Sequence, residues 1–186
     1  MFSTSPNFVP KTTLTIVLVL TLIHTISDLA LANEPAAVTR PTRLVIPAID
    51  LDSAVIPVGQ KPVVVNGKNY TQWLVDNNLV GWHDLSAPLG QVGNTVLNGH
   101  SGVYGRIFQN LDDVELGDEI IGFYGGVEYR YLVTRKFLVQ EKGASLEQRI
   151  ENAKLILPTG DERLTLITCA KPGATHRLIV IAHPAQ

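Results

Sequence analysis

The chain carries one cysteine in 186 residues, Cys169. It closes the run Leu164-Thr165-Leu166-Ile167-Thr168-Cys169, whose β-branched content predicts a strand. The next residues, Ala170-Lys171-Pro172-Gly173-Ala174-Thr175-His176, predict a loop, because proline and glycine break the pattern. A thiol at a strand end is rigidly held yet open to substrate, which suits a nucleophile. The competing reading is a buried cysteine that fills core space. His100 closes a second predicted strand, Asn94 to His100, between Gly99 and Ser101-Gly102. Small neighbours leave room for another backbone or a substrate; the competing reading is a histidine bonded to its own loop. Arg177 opens the predicted strand Arg177 to Ala182, directly after the loop that follows Cys169. A short loop between antiparallel strands returns it towards the cysteine. Its always-charged fork of donors can hold a carbonyl or a developing oxyanion; the competing reading is a solvated surface arginine. Together the three residues make an acyl-transfer site. The thiolate attacks a carbonyl, histidine protonates the leaving amine, and arginine stabilises the tetrahedral oxyanion.

Protonation limits such a site. A free cysteine titrates near pH ~8.5 and a histidine near ~6.5, and the active form needs thiolate and imidazolium together. A bell-shaped pH profile with modest turnover is expected. No acidic or amide group that orients His100 is identifiable in the sequence.

The elements that must position these residues read mostly as strands. Arg43-Leu44-Val45-Ile46-Pro47, Leu51 to Val58 and Thr71 to Val75 are the first three. Asp118 to Tyr124 and Val127 to Gln140 flank Gly125-Gly126, a strong hairpin signal. Helix is minor: a turn or two over Gly105 to Leu111, and a short helix from Ser145, with Ser145 as N-cap and Gln148 completing a capping box. Many short strands punctuated by glycine and proline predict an all-β fold, an antiparallel barrel or sandwich. Leu157-Pro158-Thr159-Gly160 reads as a turn into the cysteine strand. Trp73, Trp82 and Val80-Gly81 are expected to pack the core. His83 and Asp84 look exposed and receive no role, and His176 reads as a solvated loop histidine.

Composition narrows the function classes. A net charge of −2 leaves no basic footprint for nucleic acid, and aromatics are too few for a base-stacking platform. Hydrophobic residues make up 45%, enough for a real core. Lys11 precedes an uncharged, mostly apolar run from Thr12 to Ser27. Residues 1–32 are expected to be a signal anchor or, with Ala30-Leu31-Ala32 as the cleavage site, a signal peptide. Residues 33–42 read as a linker and 43–186 as the catalytic domain, placed outside the cytoplasm and held at the membrane by the N-terminal segment, or secreted if cleaved after Ala32.

Three segments, in order, resemble the sortase family. Gly93-Asn94-Thr95-Val96-Leu97-Asn98-Gly99-His100 is similar to the segment that ends in the family's histidine. Leu164 to Cys169 looks like the TLxTC signature, and Arg177-Leu178-Ile179-Val180-Ile181-Ala182 resembles the arginine-bearing strand. Arg43 through Leu51 also resembles the usual start of the domain. The resemblance implies a closed eight-stranded β-barrel with a few short helices. It also implies cleavage of an LPxTG-like C-terminal sorting signal between Thr and Gly, through a thioacyl enzyme, with transfer to an amine. The partners implied are secreted proteins bearing that signal and an amine acceptor, a cell-wall precursor or a pilin lysine. By position, Cys169 is the nucleophile, His100 the acid/base and Arg177 the stabiliser. The short domain resembles the housekeeping-like or class D, E and F members more than the lidded pilin-polymerising class. No cofactor is implied. Some members bind calcium before the cysteine strand, where Glu141, Glu147, Glu151, Asp161 and Glu162 lie here, but these match no calcium pattern.

Other readings fit less well. In L,D-transpeptidases a glycine precedes the cysteine and the arginine follows within a couple of residues; here Thr168 precedes Cys169 and Arg177 stands eight positions on. A metal site from His83, His100, Cys169 and His176 lacks regular ligand spacing. A non-catalytic surface β-barrel is the reading from a different class, and it requires Cys169 to be dispensable.

Overall fold

The computed structural model describes residues 40–65 and 67–185. The expected anchor or signal over 1–32, and residues 33–39 of the expected linker, lie outside the described residues. Eight strands close a barrel: β1 (Arg43–Ile46), β2 (Leu51–Val58), β5 (Val80–His83), β6 (Gly93–Asn98), β7 (Glu119–Tyr124), β8 (Val127–Gln140), β9 (Glu162–Cys169) and β10 (His176–Pro184). Their order around the barrel is β1-β2-β5-β6-β9-β10-β8-β7, and β7 pairs back onto β1. The eight-stranded all-β barrel expected from the resemblance is thus the fold.

Local sequence explains most of the boundaries. Pro47 stops β1 and starts a 3-10 turn to Ile49. Along β2, Leu51, Ser53, Val55 and Val58 point inward while their neighbours face solvent. Gly125 and Gly126 join β7 to β8 in a two-residue turn with φ of 57° and 83°. A turn with two positive φ values follows the strands' own twist and favours glycine at both positions.

The sequence reading differs from the structure in several elements. β3 (Gln60–Val65) and β4 (Lys68–Trp73) form a separate two-stranded hairpin, where only Thr71 to Val75 was expected. Pro62 and a largely exposed surface hide its alternation. β5, at four residues, is too short to show a period. Two neighbour pairs, β2·β5 and β6·β9, are parallel rather than antiparallel. Parallel neighbours need long crossovers; the β3–β4 hairpin supplies one, and the segment holding β7, β8 and helix α1 (Leu146–Lys154) supplies the other. Finally, Ser145 does cap α1, accepting from Gln148 N at 3.1 Å, but the Ser145 N–H makes no return bond to the Gln148 side-chain oxygen, so the capping box is left half made.

The core fills the barrel with Leu44, Val80, Leu97, Leu164, Leu166 and Val180, all fully buried. β6 is buried along its whole length. Its first half is flanked by the 86–88 loop, through Ala87 N to Asn94 O at 3.0 Å and Thr95 Oγ1 to Pro88 O at 3.1 Å. Asn94 Nδ2 also reaches Leu155 O and Leu157 O beyond α1. β6 is therefore a fixed platform, and His100 follows it. Trp82 packs the core as expected. His83 is a correction: it is only 3% exposed, stacked on Trp73 with ring centroids 3.9 Å apart and bonded to Asn98 Nδ2 at 2.9 Å. Its neighbour Asp84 is exposed.

Candidate active site

Strand direction assembles the site. β6 and β9 run parallel with Asn98 opposite Ile167, so their C-terminal ends emerge at the same end of the barrel. Carrying the register on by two residues brings His100 level with Cys169. β10 starts from that end and runs back antiparallel, with Arg177 directly opposite Cys169. Arg177 Nη1 donates to Cys169 Sγ. The three residues singled out by sequence therefore converge from β9, β10 and the segment that follows β6.

His100 does not end its strand as expected. β6 stops at Asn98, and His100 begins the following loop. Gly99 N still reaches Ile167 O at 3.2 Å, and His100 O accepts from Phe108 N at 2.9 Å. The space beside Gly99 is taken by protein rather than left for substrate: a Cβ there would lie 2.7 Å from Ile107 Cγ2 and 2.9 Å from Phe108 Cδ2. The imidazole is partly exposed and meets the Tyr104 ring at 4.9 Å. Burial holds its pKa below the ordinary histidine value, the Arg177 charge lowers it further, and the Asp76 charge opposes both.

Cys169 is partly exposed, in a cleft of about 230 Å³ that Phe108, Leu138, Leu178, Asp112 and Lys171 also line. The Lys171 ammonium donates to Gln109 O. His176 lies to one side, its Nδ1 2.9 Å from Thr175 Oγ1. Among the described residues, no group of three histidine, cysteine, aspartate or glutamate side chains is close enough to hold a metal ion. Of the carboxylates before the cysteine strand, Glu151 pairs with Lys154, Asp161 with His183, and Glu162 accepts from Tyr131.

Sequence reasoning missed two groups. Asp76 sits after β4, where its Oδ1 accepts from Asn78 N and Leu79 N at 2.8 Å each. No spacing in the chain ties it to His100; only the docking of its loop, with Gly105 N on Asn77 O at 2.8 Å, does so. Ser101 read merely as a small neighbour of His100, yet its Oγ donates to Cys169 O at 2.5 Å.

Comparisons with known proteins agree with this fold. The sortase domain model matches residues 44–185. Sortase A from Corynebacterium diphtheriae, in a lid mutant, is 26% identical, with 82% of this chain and 74% of that one covered and a TM-score of 0.59. A Clostridium perfringens sortase D5 transpeptidase is 18% identical over 88% and 89%, with a TM-score of 0.58. Sortase E from Streptomyces avermitilis is 23% identical over 80% and 90%, with a TM-score of 0.55. No curated protein sequence matches the chain. With its barrel, its strand order and a family match that spans nearly the whole described region, this chain belongs to the sortase family of transpeptidases.

Proposed function

We propose that this transpeptidase cleaves an LPxTG-like sorting signal between Thr and Gly and passes the new carboxyl end to an amine, with Cys169 as nucleophile, His100 as acid/base and Arg177 as stabiliser. The observation that carries this is the placement of the Arg177 guanidinium on Cys169 Sγ, at the strand end that the register shares with His100. The Cys169 thiolate attacks the threonine carbonyl, and the carbonyl π electrons move to oxygen. Arg177, the fixed donor beside the sulfur, meets the negative charge as it passes from sulfur to oxygen. The His100 imidazolium gives its proton to the glycine nitrogen as the C–N bond breaks, leaving a thioacyl enzyme. The neutral imidazole then takes a proton from the incoming amine, which forms the new amide and expels the thiolate. The chemistry uses only thiol, imidazole and guanidinium, so the reading calls for no cofactor.

The N-terminal apolar run from Thr12 to Ser27 supports a location outside the cytoplasm with attachment to the membrane. Substrates there are secreted proteins bearing the signal, and the acceptor is a cell-wall precursor or a pilin lysine.

The test is turnover of an LPxTG-like peptide library by the full chain and by Cys169→Ala, with and without an added amine. Cleavage that requires Cys169 and yields amine-adducted product is expected. Absence of both turnover and a thiol-trapped acyl adduct on every peptide sinks the reading.

A further inference from the structure

The pairing of Cys169 with Arg177 is flanked, not bridged, by backbone hydrogen bonds: Ala170 N donates to His176 O at 2.9 Å. In such a pair the residue's own N–H and C=O turn to the opposite neighbour. The Cys169 carbonyl therefore faces the chain that follows β6. A continued parallel ladder would offer it the backbone N–H of residue 101. β6 has already ended at Asn98, and the side chain takes over: Ser101 Oγ donates to Cys169 O at 2.5 Å. One step earlier the same substitution occurs, with Thr168 Oγ1 donating to Gly99 O at 2.8 Å. The two segments thus part just where their reactive side chains stand, and hydroxyls span the gap.

Ser101 is only 3% exposed and lines the cleft beside the thiol. The loop beyond it is exposed from Gly102 to Arg106, and both Tyr104 and Arg106 adopt left-handed backbone, with φ of 53° and 52°. This loop is docked at its far end, where Gly105 N reaches Asn77 O at 2.8 Å, so its start depends on other contacts. His100, immediately before Ser101, is held on one side by Phe108 N. On the side facing β9, the hydroxyl of Ser101 ties it down.

We propose that Ser101 is a positioning residue for the thiol–imidazole pair: by fixing the Cys169 carbonyl to the segment that bears His100, its hydroxyl sets the spacing of the two reacting groups. This rests on the roles given above to Cys169 and His100. The charged and titratable groups around the thiol are Arg177 on β10, which donates to it, and Lys171 and Asp112, which line its cleft; extending the β6–β9 register sets His100 level with it. None is altered by changing Ser101, so a change in thiol titration reports their geometry.

The experiment follows iodoacetamide alkylation of Cys169 against pH in the full chain, which needs no peptide substrate. Ser101→Ala is expected to slow alkylation near neutral pH by roughly three- to tenfold, the weight of one hydrogen bond, with a midpoint that differs from wild type. Ser101→Thr, which keeps the hydroxyl, is expected to restore both, and Ser101→Val, its isostere without the hydroxyl, to behave as alanine. On any peptide the chain turns over, kcat should fall while KM stays near wild type. Thr and Val variants that alkylate alike, or an alanine variant with the wild-type rate and midpoint, overturn the proposal whatever their melting temperatures. A profile that His100→Ala leaves unchanged removes the underlying thiol–imidazole reading instead.

Discussion

Cys169 and Arg177 are directly opposed partners on β9 and β10, and the guanidinium Nη1 reaches across to the sulfur. Side chains of a non-hydrogen-bonded pair lie closer than those of a hydrogen-bonded one. The register thus places the positive charge at the reacting atom. Arg177→Ala should lower kcat/KM about 10²- to 10³-fold, the usual effect of losing one oxyanion donor. Arg177→Lys should recover little of it, because a single ammonium cannot hold the sulfur and a nearby oxygen as a planar fork can. Steady-state kinetics on a cleavable peptide checks both. A lysine variant with near wild-type rates would mean that charge alone suffices.

Asp76 should set the acid limb of the pH profile. Burial and Arg177 lower the His100 pKa, and Asp76 opposes them. The reactive form is thiolate with imidazolium, so a lower histidine pKa moves the acid limb to lower pH and also thins the population of active enzyme. Asp76→Asn keeps an oxygen for the Asn78 and Leu79 amides but removes the charge. The acid limb should move down and the plateau rate fall by the same factor, roughly two- to fivefold. The effect should shrink at high salt. A limb that moves up, or does not move, contradicts the assignment.

The three candidate residues were legible because each stands at or just beyond the end of a strand whose own composition announces it. His100 follows Gly93 to Asn98, Cys169 closes Leu164 to Thr168, and Arg177 opens an aliphatic run. Their convergence was only half legible. The short loop from Cys169 to Arg177 implies their opposition, but no local signal shows that β6 lies parallel to β9. That pairing spans the whole β7–β8–α1 segment. The β3–β4 hairpin stayed hidden because it lies outside the barrel and shows no clean alternation. His83 misled because a polar residue beside Asp84 at a strand end looks solvated. The groups packed on it are Trp73 and Asn98, neither of them local to β5 in sequence. Ser101 and Asp76 act through tertiary contacts that no spacing encodes.

A metal chelator should leave turnover unchanged. The proposed steps run on thiol, imidazole and guanidinium, and among the described residues no three histidine, cysteine, aspartate or glutamate side chains are grouped closely enough to hold a metal ion. Peptide cleavage with excess EDTA, then with added calcium, checks this. A rate that falls with EDTA and returns with calcium would show a metal dependence that the proposed chemistry leaves out.

Gly99→Ala should injure the site more than a single methyl usually does. The added carbon would stand 2.7 Å from Ile107 and 2.9 Å from the Phe108 ring, and Phe108 is fully buried. Something must move, at about 1–3 kcal/mol for an overpacked position. The side chains that must give way belong to the segment whose Phe108 N–H holds the His100 carbonyl. Both the melting temperature and kcat should therefore drop. Pairing Gly99→Ala with Ile107→Val should return part of each. Unchanged kcat in the alanine variant would show that His100 is placed independently of that packing.

His83 should make the protein lose stability in mild acid. Its ring is buried against Trp73, and burial lowers its pKa to about 4. Asn98 Nδ2 is 2.9 Å from its Nε2, a contact suited to the neutral ring. An unfolded chain binds this proton near pH ~6.5, so between the two values the unfolded state holds more protons than the folded one. Stability is then fully present above pH ~6.5 and is lost as pH falls towards 4. From pH 7 to 4.5 the loss from this group amounts to roughly 2–3 kcal/mol. Urea unfolding at the two pH values measures it, and His83→Gln supplies the control. That variant should be less stable at pH 7, because it gives up the ring stacked on Trp73, yet its stability should change much less on acidification. A glutamine variant with the same pH dependence as wild type would place the acid sensitivity elsewhere and leave His83 as packing alone.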